Sequence, residues 1–139
     1  MTETSDVPPV IDGDGSQLAP GQAAFRFVIE LAAIVCWGIV GWHLTDTALR
    51  WVLVVVLPFV AAAVWGTFRA PGDHSANGGA PVAVPGVVRL VIELDVLLGA
   101  AVLTAVFWRP VVGLLLGVAV VAHYLTTLPR VRWLLRRRT

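Results

Sequence analysis

Residues 26–31 read RFVIEL, and residues 89–94, sixty-three positions later, read RLVIEL, so that five of six positions are identical. Each copy opens a long apolar run, which places Glu30 and Glu93 about one helical turn inside an apolar helix. A carboxylate at the centre of a bilayer costs about 2.5–3.5 kcal/mol on insertion scales, and less near the interface. Two glutamates at matching depth therefore need a physical explanation.

The composition indicates a small membrane protein of one domain. The chain has 139 residues, of which 58% are hydrophobic and 14% are charged, against about 25% charged in ordinary soluble domains. The scarcity of charge is confined to the middle of the chain, and all ten cationic residues are arginine. Because Cys36 is the single cysteine, a disulfide framework and a thiolate metal site are excluded.

Four apolar runs predict an all-α membrane protein whose transmembrane domain occupies residues 22–129. The predicted spans lie at about 25–42, 50–68, 88–107 and 110–128. The last two runs form one apolar stretch of about forty residues, which as a single helix would measure about 60 Å, twice the membrane. The chain must therefore turn back sharply at Arg109-Pro110, where proline suits the first turn of a new helix.

Polar segments flank the spans and separate the two halves. Residues 1–21 are acidic and rich in Pro, Gly and Ser, which predicts a disordered tail. Residues 70–86 predict a flexible loop in which His74 is solvated. The tail at 130–139 holds five arginines. Since it follows a membrane helix, we expect Arg130–Arg138 to bind anionic lipid headgroups, at about 1 kcal/mol per arginine, rather than nucleic acid.

The arginine distribution predicts the orientation in the membrane. An even number of spans places both termini on one side, together with the loop at 70–86. That side would hold eight arginines, namely Arg26, Arg69, Arg89 and the five in the tail, whereas the other side would hold Arg50 and Arg109. Because cytoplasmic segments carry the excess of basic residues, both termini are expected in the cytoplasm.

The repeated phrase indicates two helical hairpins related as a parallel internal repeat. In each copy an arginine precedes the glutamate by four residues, so Arg26 and Glu30, like Arg89 and Glu93, share a helix face. In one interpretation each glutamate is held by its own arginine and anchors the helix start. In the other, the two glutamates converge across a pseudo-two-fold axis and form a proton-binding or transport site. A partner-binding role is the third alternative.

Asp95 and His123 are the other ionisable residues of the apolar interior. They lie at similar depth on the antiparallel third and fourth helices, and ionisable residues within membranes usually pair. We expect a contact between them, direct or through one water. The alternative is a histidine bonded to the backbone, with Asp95 reaching Arg89 or water.

No catalytic or cofactor motif stands out. Serine is confined to the N-terminal tail and the loop at 70–86, and no spacing typical of a metal, haem or phosphate site is present. We therefore expect no enzymatic activity, no cofactor and no metal site.

The segments quoted so far resemble one known family. Besides the two RxVIEL phrases, residues 57–71 read LPxxAAxxWGxFxAP. Over about residues 22–128 the chain is similar to the YrdB-like family of small bacterial integral membrane proteins, which have four helices and unknown function. The resemblance implies a multi-pass protein of the bacterial plasma membrane and implies no activity.

The function expected from these features is that of a non-enzymatic accessory or interaction subunit, with a protein partner or a second copy of itself. The alternative is a small proton-coupled transporter or channel that uses Glu30 and Glu93. A water-filled cavity that reaches both glutamates would favour transport, whereas an exposed groove of small residues would favour a partner.

The predicted orientation can be tested with a topology reporter. A reporter that is active only in the periplasm, fused after Thr139, should remain inactive because eight of ten arginines hold that side in the cytoplasm. An active fusion would refute this topology.

Overall fold

A computed structural model describes residues 18–70 and 82–136. The helices are α1 (Pro20–His43), α2 (Arg50–Thr67), α3 (Gly86–Phe107), α4 (Pro110–Thr126) and α5 (Leu128–Arg136), and two short strands are β1 (Phe68–Arg69) and β2 (Val82–Ala83). Most of the predicted disordered tail and the loop around His74 lie outside the described residues.

The apolar helices have the dimensions of membrane spans. Within the described residues α1, α2 and α3 are each long and apolar enough to cross a membrane, and a fourth span results if α4 and α5, bent by 74°, are counted as one. Trp108 and Arg109 join α3 to α4, and Pro110 occupies the first turn of α4. The sharp reversal predicted at this point is confirmed.

The core lies between α1 and α3, with α2 packed on α1 and α4 packed on α3. The central buried side chains are Ile29, Ala33, Cys36, Leu97, Ala100, Ala101, Leu116 and Val120. Trp37 of α1 donates its indole Nε1–H to the backbone carbonyl of Val96 in α3, at 3.0 Å. In contrast, Ala61 alone is buried in α2, so most of that helix presents apolar side chains outward, as a lipid-facing helix does.

Small residues allow α3 and α4 to approach closely. A Cβ placed on Gly113 would overlap the backbone carbonyl of Ala101 and the side chain of Ala105. Because helices in membranes gain little from hydrophobic burial, such close contact is a main source of their association. One turn later, a Cβ on Gly117 would lie 3.7 Å from the Cβ of Ala101, which is ordinary contact.

Two features depart from the expected all-α fold with a basic tail. The strands β1 and β2 pair in parallel, with Phe68 opposite Val82 and Arg69 opposite Ala83. In addition, residues 128–136, assigned mainly to the tail, form α5, which packs against α3. Gly86 permits this packing, since a Cβ there would overlap the backbone of Leu134. Both the strand pair and the packing of α5 depend on contacts between distant parts of the chain, which the composition of the tail does not reveal.

The glycine contact gives a matched pair of variants. Gly113→Ala should lower the melting temperature of the detergent-solubilised protein, because overpacking costs typically about 1–3 kcal/mol. Gly117→Ala is the control and should leave the melting temperature nearly unchanged, since its methyl group would make only an ordinary contact, 3.7 Å from the Cβ of Ala101. Equal melting temperatures for the two variants would contradict the close α3–α4 contact.

Candidate functional site

The buried charged residues that the structure describes gather at one end of the bundle, where α1 and α3 begin and α2 and α4 end. Five side chains form what we call the Glu93 cluster: Glu93, Arg26, Arg89, Arg130 and Tyr124. They come from four helices, because Arg26 lies in α1, Arg89 and Glu93 in α3, Tyr124 in α4 and Arg130 in α5.

Glu93 accepts hydrogen bonds on both carboxylate oxygens. Its Oε1 accepts from Arg26 at 2.8 Å, from Arg130 at 3.0 Å and from Arg89 Nε at 3.1 Å. Its Oε2 accepts from the Tyr124 hydroxyl at 2.9 Å and from the second terminal nitrogen of Arg130 at 3.1 Å. Arg130 therefore binds the carboxylate with both ends of its guanidinium group, the bidentate geometry that makes arginine–carboxylate pairs strong and directional.

The burial of the cluster makes its charge balance important. The Glu93 side chain is 0% exposed, and those of Arg89 and Arg130 are 1% and 3% exposed. Removing charges from water is unfavourable unless each charge is paired and hydrogen-bonded. Three guanidinium groups meet the single carboxylate of Glu93, and Glu30 supplies a second carboxylate through Arg26. With these five charges the site carries one positive charge in excess.

Arg89 also fixes the end of α2. Its Nη1 donates to the carbonyl oxygen of Trp65 at 2.7 Å and to that of Phe68. Carbonyls in the last turn of a helix have no partner within the helix, so these bonds satisfy groups that would otherwise be left open. The same guanidinium lies 4.9 Å from the centre of the Trp65 ring, and that of Arg26 lies 5.6 Å from it, both within cation–π range.

Glu30 has a different environment from Glu93. Its Oε1 accepts from Arg26 Nε at 2.7 Å, and its side chain is 27% exposed. Glu30 lines a cavity of about 200 Å³ whose walls include Phe27, Ile34 and Trp65. Glu93 is not among the residues that line this cavity.

The two arginine–glutamate pairs predicted from the four-residue spacing are present. Their surroundings nevertheless differ, because Arg26 bridges Glu30 and Glu93 while Arg89 bonds Glu93 and α2. The site thus combines the predicted ion pair within each helix with a contact between the two copies of the phrase, from Arg26 to Glu93.

Asp95 and His123 do not come together as predicted. Asp95 is exposed on the outer surface of α3, whereas His123 is 2% exposed and neither ring nitrogen has a hydrogen-bond partner among the described residues. The His123 ring instead lies 6.0 Å from the Phe25 ring and 5.6 Å from the Tyr124 ring, centre to centre. The rotation of α3 turns Asp95 outward, away from the face that packs in the bundle. Arg89, the other partner considered for Asp95, is bonded to Glu93.

Sequence reasoning missed Arg130 and Tyr124 as members of the site. Arg130 was assigned to lipid headgroups, but it is buried against Glu93 and is not available to them. A signal was present in the tail, because Arg130 and Leu134 are four residues apart and both are buried on one face of α5. That spacing identifies an inward face, although it does not identify the acceptor.

The arrangement of the Glu93 cluster is suited to holding the helices together rather than to binding a substrate. Both oxygens of Glu93 are occupied by fixed donors, so the carboxylate has no free position for a substrate. Within residues 18–70 and 82–136, no group of three or more histidine, cysteine, aspartate or glutamate side chains is placed to hold a metal ion.

Comparison with known proteins assigns the chain to a family. Residues 24–122 match the family model described as "Protein of unknown function (DUF2568)". The chain belongs to the DUF2568 family. It is also 35% identical over 113 residues to the "Uncharacterized protein YrdB" of Bacillus subtilis (strain 168), a match that covers 81% of this chain and 91% of that protein. The expected resemblance is thereby confirmed.

No solved structure matches this DUF2568 chain. The cluster nevertheless gives a physical role to part of the WGxFxAP segment. Trp65 offers its ring to two arginines and its carbonyl to Arg89, Phe68 offers its carbonyl to Arg89, and Ala70 is 1% exposed. The segment therefore receives Arg89 at the end of α2.

The cluster predicts unequal effects of removing the two carboxylate charges. Glu93→Gln should lower the free energy of unfolding in detergent by about 3–5 kcal/mol, because it leaves buried arginines without their anion. Glu30→Gln should cost less, about 1 kcal/mol, because the Glu30 side chain is 27% exposed and Arg26 keeps its bond to Glu93. Similar losses for the two variants, measured by denaturant titration, would contradict the central position of Glu93.

Proposed function

We propose that this protein is a non-enzymatic accessory or interaction subunit of the bacterial plasma membrane. In this proposal it crosses the membrane four times, as two helical hairpins in a parallel internal repeat, with both termini in the cytoplasm. The fourth crossing is α4, whose 17 residues are at the short end of the length that spans a membrane, and α5 bends away from it by 74°. The orientation rests on the eight-to-two arginine distribution.

One observation carries the proposal. Glu93, the most deeply buried carboxylate among the described residues, is bonded by three arginines and a tyrosine. A proton carrier must exchange its proton with water or substrate, and so requires an accessible oxygen. Glu93 is instead 0% exposed and fixed by donors from four helices. Its geometry supports a clamp that holds the helices together.

The outer surface favours a protein partner. An open apolar groove of about 760 Å³ runs between α3 and α4, and three of the small residues that line it are not buried: Ala105, Gly117 and Ala122. Small residues permit the close backbone approach on which helix association in membranes depends. This is the feature expected of an interaction subunit.

The burial pattern supports the proposed repeat. Positions sixty-three apart are buried in both α1 and α3 at Arg26 and Arg89, and at Ala33 and Val96. Arg26 and Arg89 also approach the same Trp65 ring. Corresponding faces of the two helices are thus turned toward a common centre, as an approximate two-fold axis along the membrane normal would require.

The tail retains a role at the membrane surface in this proposal. Arg132 and Arg136 are exposed on α5, which bends away from α4 by 74°. An exposed basic helix at the end of a membrane span is suited to lie along anionic headgroups, at about 1 kcal/mol per arginine. Arg130 takes no part, since it is bonded to Glu93.

A second candidate function is a small proton-coupled transporter or channel. The observation that favours it is the cavity of about 200 Å³ lined by Glu30, Trp65 and apolar residues. Since this cavity is lined by Glu30 and not by Glu93, the transport alternative depends on a single carboxylate.

The accessory role can be tested by purification from native membranes. After gentle solubilisation the full chain should copurify with a membrane protein in a fixed stoichiometry. Repetition after Glu30→Gln is the control, because that substitution leaves the buried cluster intact and should not release the partner. Isolation of a lone monomer from native membranes would refute the accessory role.

Flux measurements separate the two candidates. In liposomes, proton flux through the purified protein should be no greater than through protein-free membranes, and Glu30→Gln or replacement of both glutamates by glutamine should not change it. A measurable flux that a well-folded Glu30→Gln variant abolishes would overturn the accessory role in favour of the transporter.

A further inference from the structure

Asp95 occupies an unusual position for a charged residue. It is exposed on the outer surface of α3, nine residues after Gly86, the first residue of that helix. At 1.5 Å per residue this is about 14 Å along a helix of about 33 Å. Asp95 thus lies about half a helical turn beyond Glu93, roughly two-fifths of the way along α3. Within the described part of the chain, its side chain makes no hydrogen bond or ion pair.

Neighbours of Asp95 form a continuous packing face. We call this face the α3 stripe, and it consists of Val88, Val91, Asp95, Leu98 and Val102. The intervals of three and four residues average 3.5, the period at which one helix packs along another in a left-handed crossing. Four members are exposed, and Leu98 is partly buried. The opposite face of α3 is already buried against α1 and α4.

The groove between α3 and α4 adjoins this stripe. Leu98 and Val102 belong to both, so the stripe continues into an apolar recess of about 760 Å³. A helix laid along the stripe would find a regular seam for its backbone and a recess for its larger side chains. The surface thus has the shape required for one additional helix.

Charge identifies the kind of helix. Ionisable residues within membranes are generally paired, and an unpaired carboxylate facing lipid is unfavourable. Among the described residues, the exposed arginines lie at helix ends, with Arg109 between α3 and α4 and Arg132 and Arg136 on α5. A second copy in the same orientation would bring its own Asp95 to this level, and two carboxylates repel each other. A different protein can supply the missing cation.

We propose that the α3 stripe is the docking surface for a transmembrane helix of a partner protein, and that this helix carries an arginine or lysine at the depth of Asp95. This inference rests on the accessory role proposed above and specifies the chemistry of its partner. A polar residue in such a seam also fixes the register between two helices. Asp95 therefore determines which partner docks and at what height.

Defined peptides test this chemistry directly. The probes are a leucine-rich transmembrane peptide with one arginine at the depth of Asp95, and the same peptide with leucine in that position. Energy transfer is measured between each peptide and the full chain, labelled at its N-terminus, in phosphatidylcholine vesicles. The arginine peptide should bind about threefold to twentyfold more tightly, the range expected for polar contacts between membrane helices.

Two variants make the test specific to Asp95. Asp95→Asn should abolish the preference for arginine while leaving the bundle folded, because this side chain contacts none of the buried cluster. In a second variant, Asp95→Val is combined with Val102→Asp, which moves the carboxylate two turns along the stripe. The preferred arginine should then move by seven residues, or about 10 Å. Val102 is 59% exposed, so the change does not enter the core.

Several outcomes would overturn the inference. Equal binding of the two peptides, or a preference for arginine that persists in Asp95→Asn, would show that the carboxylate does not select the partner. Self-association of the chain that depends on Asp95 and excludes the peptide would make a second copy the occupant.

The test of the α3 stripe can fail or succeed independently of the test of the accessory role. A stoichiometric native partner that still copurifies with Asp95→Asn would refute this surface and preserve the role. Arginine-selective binding without any native partner would support the surface and refute the role.

Discussion

The pairing of Glu93 with Arg26, Arg89 and Arg130 is the interaction on which the bundle depends. A carboxylate that is 0% exposed must find its compensation within the protein. Here the compensation comes from α1, α3 and α5, with a hydroxyl from α4, and Arg89 extends the network to the end of α2. Because every helix contributes or is contacted, no helix can shift without exposing a buried charge. The apolar surfaces hold the helices together, and the cluster determines their positions.

The same six-residue phrase takes two roles because its surroundings differ. Both copies form the local arginine–glutamate pair that their spacing dictates. The second copy also meets Tyr124 and Arg130, which come from the chain beyond α3, and so its glutamate becomes the buried centre. The first copy lies beside a cavity instead, and its arginine is shared between both glutamates. The single difference within the phrase, Phe27 against Leu90, is between two apolar residues, so the different roles follow from the neighbours that each copy acquires.

Local rules account for what the sequence revealed. Apolar runs located the helices, the proline of Arg109-Pro110 marked the reversal, and four-residue spacing predicted both ion pairs. The remaining features depend on helix rotation. Nearly all positions of these helices are apolar, so periodicity hardly distinguishes the inward face from the lipid face. For this reason Asp95 was expected to point inward, Arg130 was assigned to the lipid surface, and the contact between Arg26 and Glu93, sixty-seven residues apart, was not predicted.

The two acidic residues of α3 show how this fold divides its charges. Glu93 and Asp95 are two positions apart, which places them on different faces of the helix. Glu93 faces inward and has every oxygen bonded, whereas Asp95 faces outward without a partner in the described chain. If the face that carries Asp95 remained exposed to lipid, a neutral residue would be favoured at position 95. The bundle pairs the buried charge of Glu93 fully but leaves the charge of Asp95 unpaired on a regular packing face. The inside of the bundle therefore needs no further partner, whereas this outer face does. The position of Asp95 is explained when that face is covered by a helix that brings the opposite charge.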